Sequence, residues 1–205
     1  MELDFLVSGA VTLIVVVDPV GLAPTFLAVT KGLPAPAQRR VARRASLIAA
    51  LILAGAALGG DWLLRKLGIS LPAFRIAGGL LLFALAAEMV LGLRIERQSE
   101  TAEQAIEEHV RNIAAFPLAI PLMAGPGAIT ATVLLAGQAA GRPVFIGMLI
   151  VIAAVCALTA AVFYFATHIA RFLGVTGNIV LSRLLGVLLA ALAVQYVIDG
   201  VKAAG

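Results

Sequence analysis

Apolar residues fall into six long stretches along this chain, separated by short polar or glycine-rich segments. Each stretch has about 20 residues or more, enough for a helix to cross a hydrocarbon core of ~30 Å. The pattern predicts an all-α polytopic membrane protein with six transmembrane helices. The stretches lie at 5–30, 43–64, 72–93, 114–136, 143–168 and 180–201.

The segment between the third and fourth stretches is strongly polar. We interpret residues 94–112 as a charged cytoplasmic linker that joins a first three-helix repeat at 1–93 to a second at 113–205. The three parts together form one membrane domain. The linker carries five glutamates, Glu96, Glu100, Glu103, Glu107 and Glu108.

The two halves share landmarks in the same order. Leu67-Gly68-Ile69-Ser70 matches Leu173-Gly174-Val175-Thr176 at an offset of 106, and Arg75 matches Arg183 at an offset of 108. Because each copy has three spans, an odd number, the copies must have opposite orientations in the membrane. Such a 3+3 inverted repeat is the plan of many secondary transporters.

Spans one and four are each interrupted by helix breakers. Span one contains Asp18-Pro19-Val20-Gly21, and span four contains Pro121 followed by Gly125-Pro126-Gly127. A proline inside a helix removes a backbone hydrogen bond, so neither span can keep an unbroken ladder. We expect both helices to be broken near mid-membrane, with half-helices at 5–17, 19–30, 114–121 and 126–137.

The two breaks form the candidate binding site. Irregular backbone at membrane depth persists only inside protein or beside a water-filled cavity. The free N–H groups that start each second half-helix favour an anion such as a carboxylate, and small residues let a ligand meet the backbone. The candidate substrate-binding residues are Asp18, Pro19, Val20, Gly21, Leu22, Thr25, Gly125, Pro126, Gly127, Ala128 and Thr130.

Asp18 has two interpretations. A carboxylate within a membrane span is a functional-site candidate, because burying its charge costs at least ~2.5 kcal/mol. Asp is also a favoured N-cap, and Pro19 suits the first position of the helix that follows. The sequence leaves open whether Asp18 only caps this helix or also carries a coupling proton.

Composition narrows the function classes. The 205 residues are 62% hydrophobic and 13% charged, with a mean hydropathy of +1.08, which leaves no room for a soluble domain. The net charge of +4 lies in loops beside the bilayer and favours membrane lipid over nucleic acid as a partner. We expect no metal, no cofactor and no enzymatic activity, because no Cys/His cluster, nucleotide fingerprint or nucleophile–base pair is present.

Three stretches resemble the MarC family of bacterial inner-membrane proteins: DPVGLAPTF at 18–26, RIAGGLLLF at 75–83 and PLMAGPGAIT at 121–130. The resemblance covers essentially the whole chain. It implies six spans, an inverted repeat and, as in SnatA-type members, symport of small neutral amino acids such as glycine and alanine with a proton or sodium ion. Its motifs fall on Asp18, Pro19, Gly21, Pro24, Gly125, Pro126, Gly127 and Thr130.

The expected function is therefore alternating-access transport of a small neutral amino acid. The substrate carboxylate would meet the two half-helix N-termini, and its ammonium would meet carbonyls freed before the breaks, or Asp18. A channel and a non-transporting membrane scaffold are the alternatives. The sequence leaves open the exact substrate, the coupling ion, the direction of transport and the oligomeric state.

Basic residues predict the orientation. Ten Lys and Arg residues fall in the 1–2, 3–4 and 5–6 loops and five fall on the other side. Because cytoplasmic loops carry the excess of positive charge, both termini should be periplasmic in a multi-pass protein of the inner membrane.

This orientation can be tested with reporter fusions. We expect a reporter that is active only in the periplasm to be active when fused at Gly205 and silent when fused within 98–108. The reverse pattern would contradict the orientation and leave the inverted repeat intact.

Overall fold

The regular elements of this protein are all helices. The computed structural model describes residues 2–107 and 112–204, which contain eight α-helices, one π-helical segment and no strand. The elements are α1 (Glu2–Val17), α2 (Leu22–Val29), α3 (Ala35–Lys66), α4 (Leu71–Leu91), α5 (Leu93–Glu107), π1 (Ala114–Met123), α6 (Pro126–Gly137), α7 (Arg142–Tyr164) and α8 (Ala166–Ala204).

Four of these helices, α3, α4, α7 and α8, are long and apolar enough to cross a membrane. Two pairs also qualify when each is joined across a short break: α1 with α2, bent by 46°, and π1 with α6, bent by 59°. The described residues therefore hold four spans, or up to six if each bent pair is one span. The predicted all-helical class is confirmed.

The long helices expose rows of large apolar side chains. Leu51 and Leu58 on α3, Ile150 on α7 and Leu184 on α8 are all more than half exposed. Soluble proteins rarely expose such rows of large apolar side chains, so these faces suit a lipid environment.

Helices α4 and α8 form the most extensive helix pair of the bundle. A Cβ added at Gly79 would lie 2.8 Å from the carbonyl oxygen of Ala193, and one added at Gly186 would lie 3.1 Å from that of Ala86. Small residues let helices approach this closely in membranes, where packing replaces the hydrophobic effect as the driving force for association. Helix α3 packs on π1, α6 and α7, while α1 packs on α6, α7 and α8.

The polar segment expected as a linker begins with a helix that docks against the bundle. Helix α5 contacts α2, α4 and π1, and its buried residues are Arg94, Gln98 and Ala102. A spacing of four residues places these three on one face of a helix. The described part of the segment therefore contributes to the interior, which its charge alone does not suggest.

The glycine contacts between α4 and α8 make a stability prediction. Gly79→Val should lower the free energy of unfolding by about 1–3 kcal/mol, because its branched side chain must displace Val197 and the backbone of α8. Thermal unfolding of the purified protein in detergent measures the effect.

Gly55→Val on α3 is the matched control, since a Cβ at Gly55 meets nothing within 4 Å. Equal unfolding temperatures for the two variants would contradict the assigned packing role of Gly79.

Candidate functional site

The first break lies between Val17 and Leu22. Asp18 has a positive φ of 53°, which turns the chain out of α1. Its carboxylate accepts a hydrogen bond from the N–H of Gly21 (3.0 Å), and its carbonyl accepts one from Leu22 (3.1 Å). Asp18 therefore caps the turn that leads into α2, and both of its interpretations predict such a capping role. A Cβ at Gly21 would overlap this carboxylate, so glycine makes room for the cap.

Arg94, at the start of α5, supplies further hydrogen bonds at the first break. Its Nη2 group donates to the carbonyl oxygens of Val16 (2.8 Å) and Val17 (3.5 Å), and its Nη1 lies 3.2 Å from the sulfur of Met89. The last carbonyls of a helix lack partners within the helix, and a cation is favourable there. Arg94 thus serves the C-terminus of α1 while Asp18 serves the N-terminus of α2.

The charges of Asp18 and Arg94 also attract each other, and both side chains are buried, at 2% and 5% exposure. Removing two charges from water is costly, and their mutual attraction offsets part of this cost. Sequence reasoning counted Arg94 only as a loop charge. The available signal was the stripe Glu96, Glu100 and Glu103, which marks the solvent side of a helix and leaves Arg94 on the opposite face.

The contacts of Arg94 show where the first break lies along the length of α4. Sequence analysis places the break near mid-membrane, whereas Arg94 follows α4 by only three residues and reaches the carbonyl of Val16. The break is therefore beside the C-terminal end of α4. Helix α1 alone has 16 residues, about 24 Å at ~1.5 Å per residue.

The second break is built by proline geometry. Phe116 and Ile120 have extended backbone inside π1, and each precedes a proline, which disfavours the helical conformation in the residue before it. Gly125 is also extended, and a Cβ there would collide with the carbonyl oxygen of Pro121. The next helix, α6, starts at Pro126 without a side-chain cap.

A cavity of about 420 Å³ opens at the start of α6. This volume falls within the ~300–1,000 Å³ usual for small-molecule sites. Helices α4 and α5 form its other walls, with Glu88 and Arg97 joined by a hydrogen-bonded ion pair of 2.8 Å. Its polar or small lining residues include Glu88, Arg94, Arg97, Gln98, Thr101, Gly125, Pro126, Gly127 and Ala128.

The predicted site residues separate into three groups. Gly125, Pro126, Gly127 and Ala128 line the 420 Å³ cavity, and Val20 lines a smaller, mostly apolar one of about 190 Å³ between α2, α5 and α8. The others are buried in packing, with the methyl of Thr130 facing Gly78 on α4. This third group is Asp18, Pro19, Gly21, Leu22, Thr25 and Thr130.

The two breaks are neighbours, yet they do not share one cavity equally. Val16, before the first break, lines the large cavity, and its Cγ1 atom would lie 3.5 Å from a Cβ at Gly127. At the first break, backbone groups of the turn already have hydrogen-bond partners within the protein. The start of α6 instead faces open volume, so the second break offers more room for a ligand. Among the described residues, no group of three His, Cys, Asp or Glu side chains gathers to hold a metal ion.

Comparisons with known proteins cover nearly the whole chain. The model of the MarC family of integral membrane proteins matches residues 3–204, which confirms the resemblance seen in the motifs. A membrane protein of the UPF0056 group from Archaeoglobus fulgidus is 37% identical over 97% of this chain and 92% of its own length. YhcE from Escherichia coli is 35% identical over 93% and 88%, and YvbG from Bacillus subtilis is 32% identical over 98% and 96%. No solved structure matches.

The buried pairing of Arg94 with the first break predicts a large stability effect. Arg94→Met should lower the free energy of unfolding by about 1.5–3 kcal/mol, because it removes the charged hydrogen bonds to the carbonyls of Val16 and Val17 and the attraction between Arg94 and Asp18. Arg97→Met is the control: the Arg97 side chain is 59% exposed, so loss of its ion pair should cost less than about 1 kcal/mol. Denaturation of the purified variants in detergent measures both.

Adding Asp18→Asn to Arg94→Met should recover part of this loss. Asn tolerates positive φ and still accepts a hydrogen bond from Gly21, but it carries no charge. A double variant no more stable than Arg94→Met alone would show that the two charges do not depend on each other.

Proposed function

Because this chain belongs to the MarC family of integral membrane proteins, we propose that it is a secondary transporter of small neutral amino acids of the glycine and alanine class. The observation that carries the proposal is the 420 Å³ cavity, where the uncapped start of α6 faces Arg94 and Gln98 beside small residues. A zwitterion needs donors for its carboxylate and acceptors for its ammonium. The N–H groups of Gly127 and Ala128 supply donors, and the carbonyls of Pro121 and Leu122 are nearby acceptors.

Helix contacts support an inverted repeat of three spans plus three, with α1 and α2 equivalent to π1 and α6, α3 to α7, and α4 to α8. Exchanging the halves turns the packing of α3 on π1 and α6 into that of α7 on α1 and α2, and the packing of α4 on α6 into that of α8 on α2. The same exchange leaves the pairs α4–α8 and α3–α7 unchanged, because the two helices of each pair replace each other. Gly68 and Gly174, matched in the sequence, both have positive φ, at 69° and 60°.

The bends of 46° and 59° support two broken spans, which brings the total to six. In the orientation given by the basic residues, both termini are periplasmic and α5 is cytoplasmic. The large cavity borders α5, so it lies on the cytoplasmic side of the inner membrane. We assign this conformation to the inward-facing half of an alternating-access cycle.

Asp18 and Arg94 are the proposed coupling pair. A proton or sodium ion at Asp18 would compete with Arg94 for the carboxylate. Arg94 also holds the end of α1 and lines the cavity, so such competition would reach both breaks. In this proposal, Asp18 and Arg94 act in transport and not in an enzymatic reaction.

Counterflow tests the proposal. Liposomes that contain the purified protein and are loaded with unlabelled glycine should transiently accumulate labelled glycine above its equilibrium level. Unlabelled alanine outside should compete strongly and leucine weakly, and an imposed proton or sodium gradient identifies the coupling ion. Equilibration without transient accumulation would indicate a channel, and the absence of any flux would indicate a scaffold.

Two alanines on the same face of α4 make a matched pair of variants for this assay. Both are exposed and they are seven residues apart, but only Ala84 lines the cavity. Ala84→Leu should reduce alanine counterflow more than glycine counterflow by narrowing the cavity, whereas Ala77→Leu should leave both unchanged. Equal effects of the two variants would place the substrate elsewhere.

A further inference from the structure

Gln98 is a buried polar residue that has no hydrogen-bond partner among the described residues. It lies on the inner face of α5, is 5% exposed and lines the large cavity. Its amide makes no hydrogen bond to any residue of the described ranges. Among the described residues, the side-chain atoms that are fully buried and unpaired belong to other residues, so the Gln98 amide keeps access to the open volume of the cavity. The amide is therefore available to a group that occupies the cavity.

The start of α6 lines the same cavity. Gly125 has no side chain to cap this 12-residue helix, and Pro126 has no N–H, so the N–H groups of Gly127 and Ala128 begin the helix without a side-chain acceptor. The first N–H groups of a helix lack partners within it, and the helix dipole adds a partial positive charge. This wall favours an anionic group with more than one acceptor atom.

The charged residues around the cavity have the matching sign. Arg94 and Arg97 both line it, and Glu88 pairs with Arg97 at 2.8 Å through its Oε1 atom, while its Oε2 atom is buried without a partner among the described residues. Arg94 is occupied by the carbonyls of α1, so it contributes positive potential more than free donors. The donors that remain open are the Gln98 amide and the N–H groups of α6. A carboxylate, with two acceptor oxygens, can use both.

We propose that Gln98 and the N–H groups of Gly127 and Ala128 together bind the carboxylate of the transported amino acid. This assignment rests on the proposed function for the identity of the substrate. It makes α5 a part of the binding site, although the sequence presents it as a connecting segment. A residue of the linker then contacts the same functional group that one of the broken helices holds.

The test compares Gln98→Met with Gln104→Met. Both positions are glutamines of α5, but Gln104 is exposed and outside the cavity. Met keeps the length of the side chain and removes the donor. Binding of labelled glycine to the purified protein should weaken about 10- to 100-fold in Gln98→Met, as expected for loss of a hydrogen bond to a charged group, and should not change in Gln104→Met.

Competing ligands identify which end of the substrate is bound. Acetate, which has only the carboxylate, should displace glycine from the wild-type protein and fail to do so from Gln98→Met. Glycinamide, which lacks the carboxylate, should compete equally in both. Because Gln98 has no hydrogen-bond partner to lose among the described residues, Gln98→Met should unfold at the same temperature as the wild type or higher, whereas a structural glutamine would give a lower one.

The outcomes separate this inference from the transport proposal. If folded Gln98→Met binds glycine as tightly as Gln104→Met, the role of Gln98 is wrong while transport stands. If acetate binds in a Gln98-dependent way but glycine is not transported, the carboxylate site stands and the proposed function is wrong. A wild-type protein that binds neither ligand overturns both. Should Gln98→Met fail to fold, Gln98→Glu applies the same test, because its negative charge should repel the carboxylate.

Discussion

Backbone groups at a helix break need partners, and in a membrane water does not reach them freely. The first break meets this constraint with two side chains. Asp18 accepts the N–H of Gly21, and Arg94 donates to the carbonyls of Val16 and Val17. Their opposite charges make the burial of each tolerable. The bend of the first span, the docking of α5 and the level of the break along α4 all depend on this arrangement.

The second break meets the same constraint differently. Two residues before prolines are extended, Gly125 passes close to the carbonyl of Pro121, and no side chain caps α6. Its first N–H groups border a cavity in place of a protein acceptor. The two breaks thus differ in their chemistry. Asp18 and Arg94 supply the hydrogen bonds of the first break, whereas the second break borders the open volume.

Much of this architecture could be predicted from local sequence. Apolar runs of sufficient length indicate the helices, and Pro19 and Pro126 mark bends because proline lacks the N–H that a helix needs. The resemblance in the motifs also identified the family correctly. The position of Arg94 was missed because counting charges by loop treats every basic residue as solvated, and Gln98 has no charge to count. The hydrogen bond from Arg94 to Val16 joins residues 78 apart in the chain, and no local pattern encodes this partner. Gly21 illustrates a subtler limit: its small size accommodates Asp18, a neighbour three residues away, whereas the sequence suggested room for a ligand.

The distance along the chain between Val16 and Arg94 has a consequence for biogenesis. The N-terminal part of a protein is synthesised first, so α1 enters the bilayer while its stabilising arginine is still unmade. Until α5 emerges, the Asp18 carboxylate lacks its countercharge, and the first three spans cannot reach their final packing. The second half has no acidic residue at its own break and carries no such delay. The contacts of the first break are therefore complete only once α5, the helix that supplies Arg94, has been synthesised.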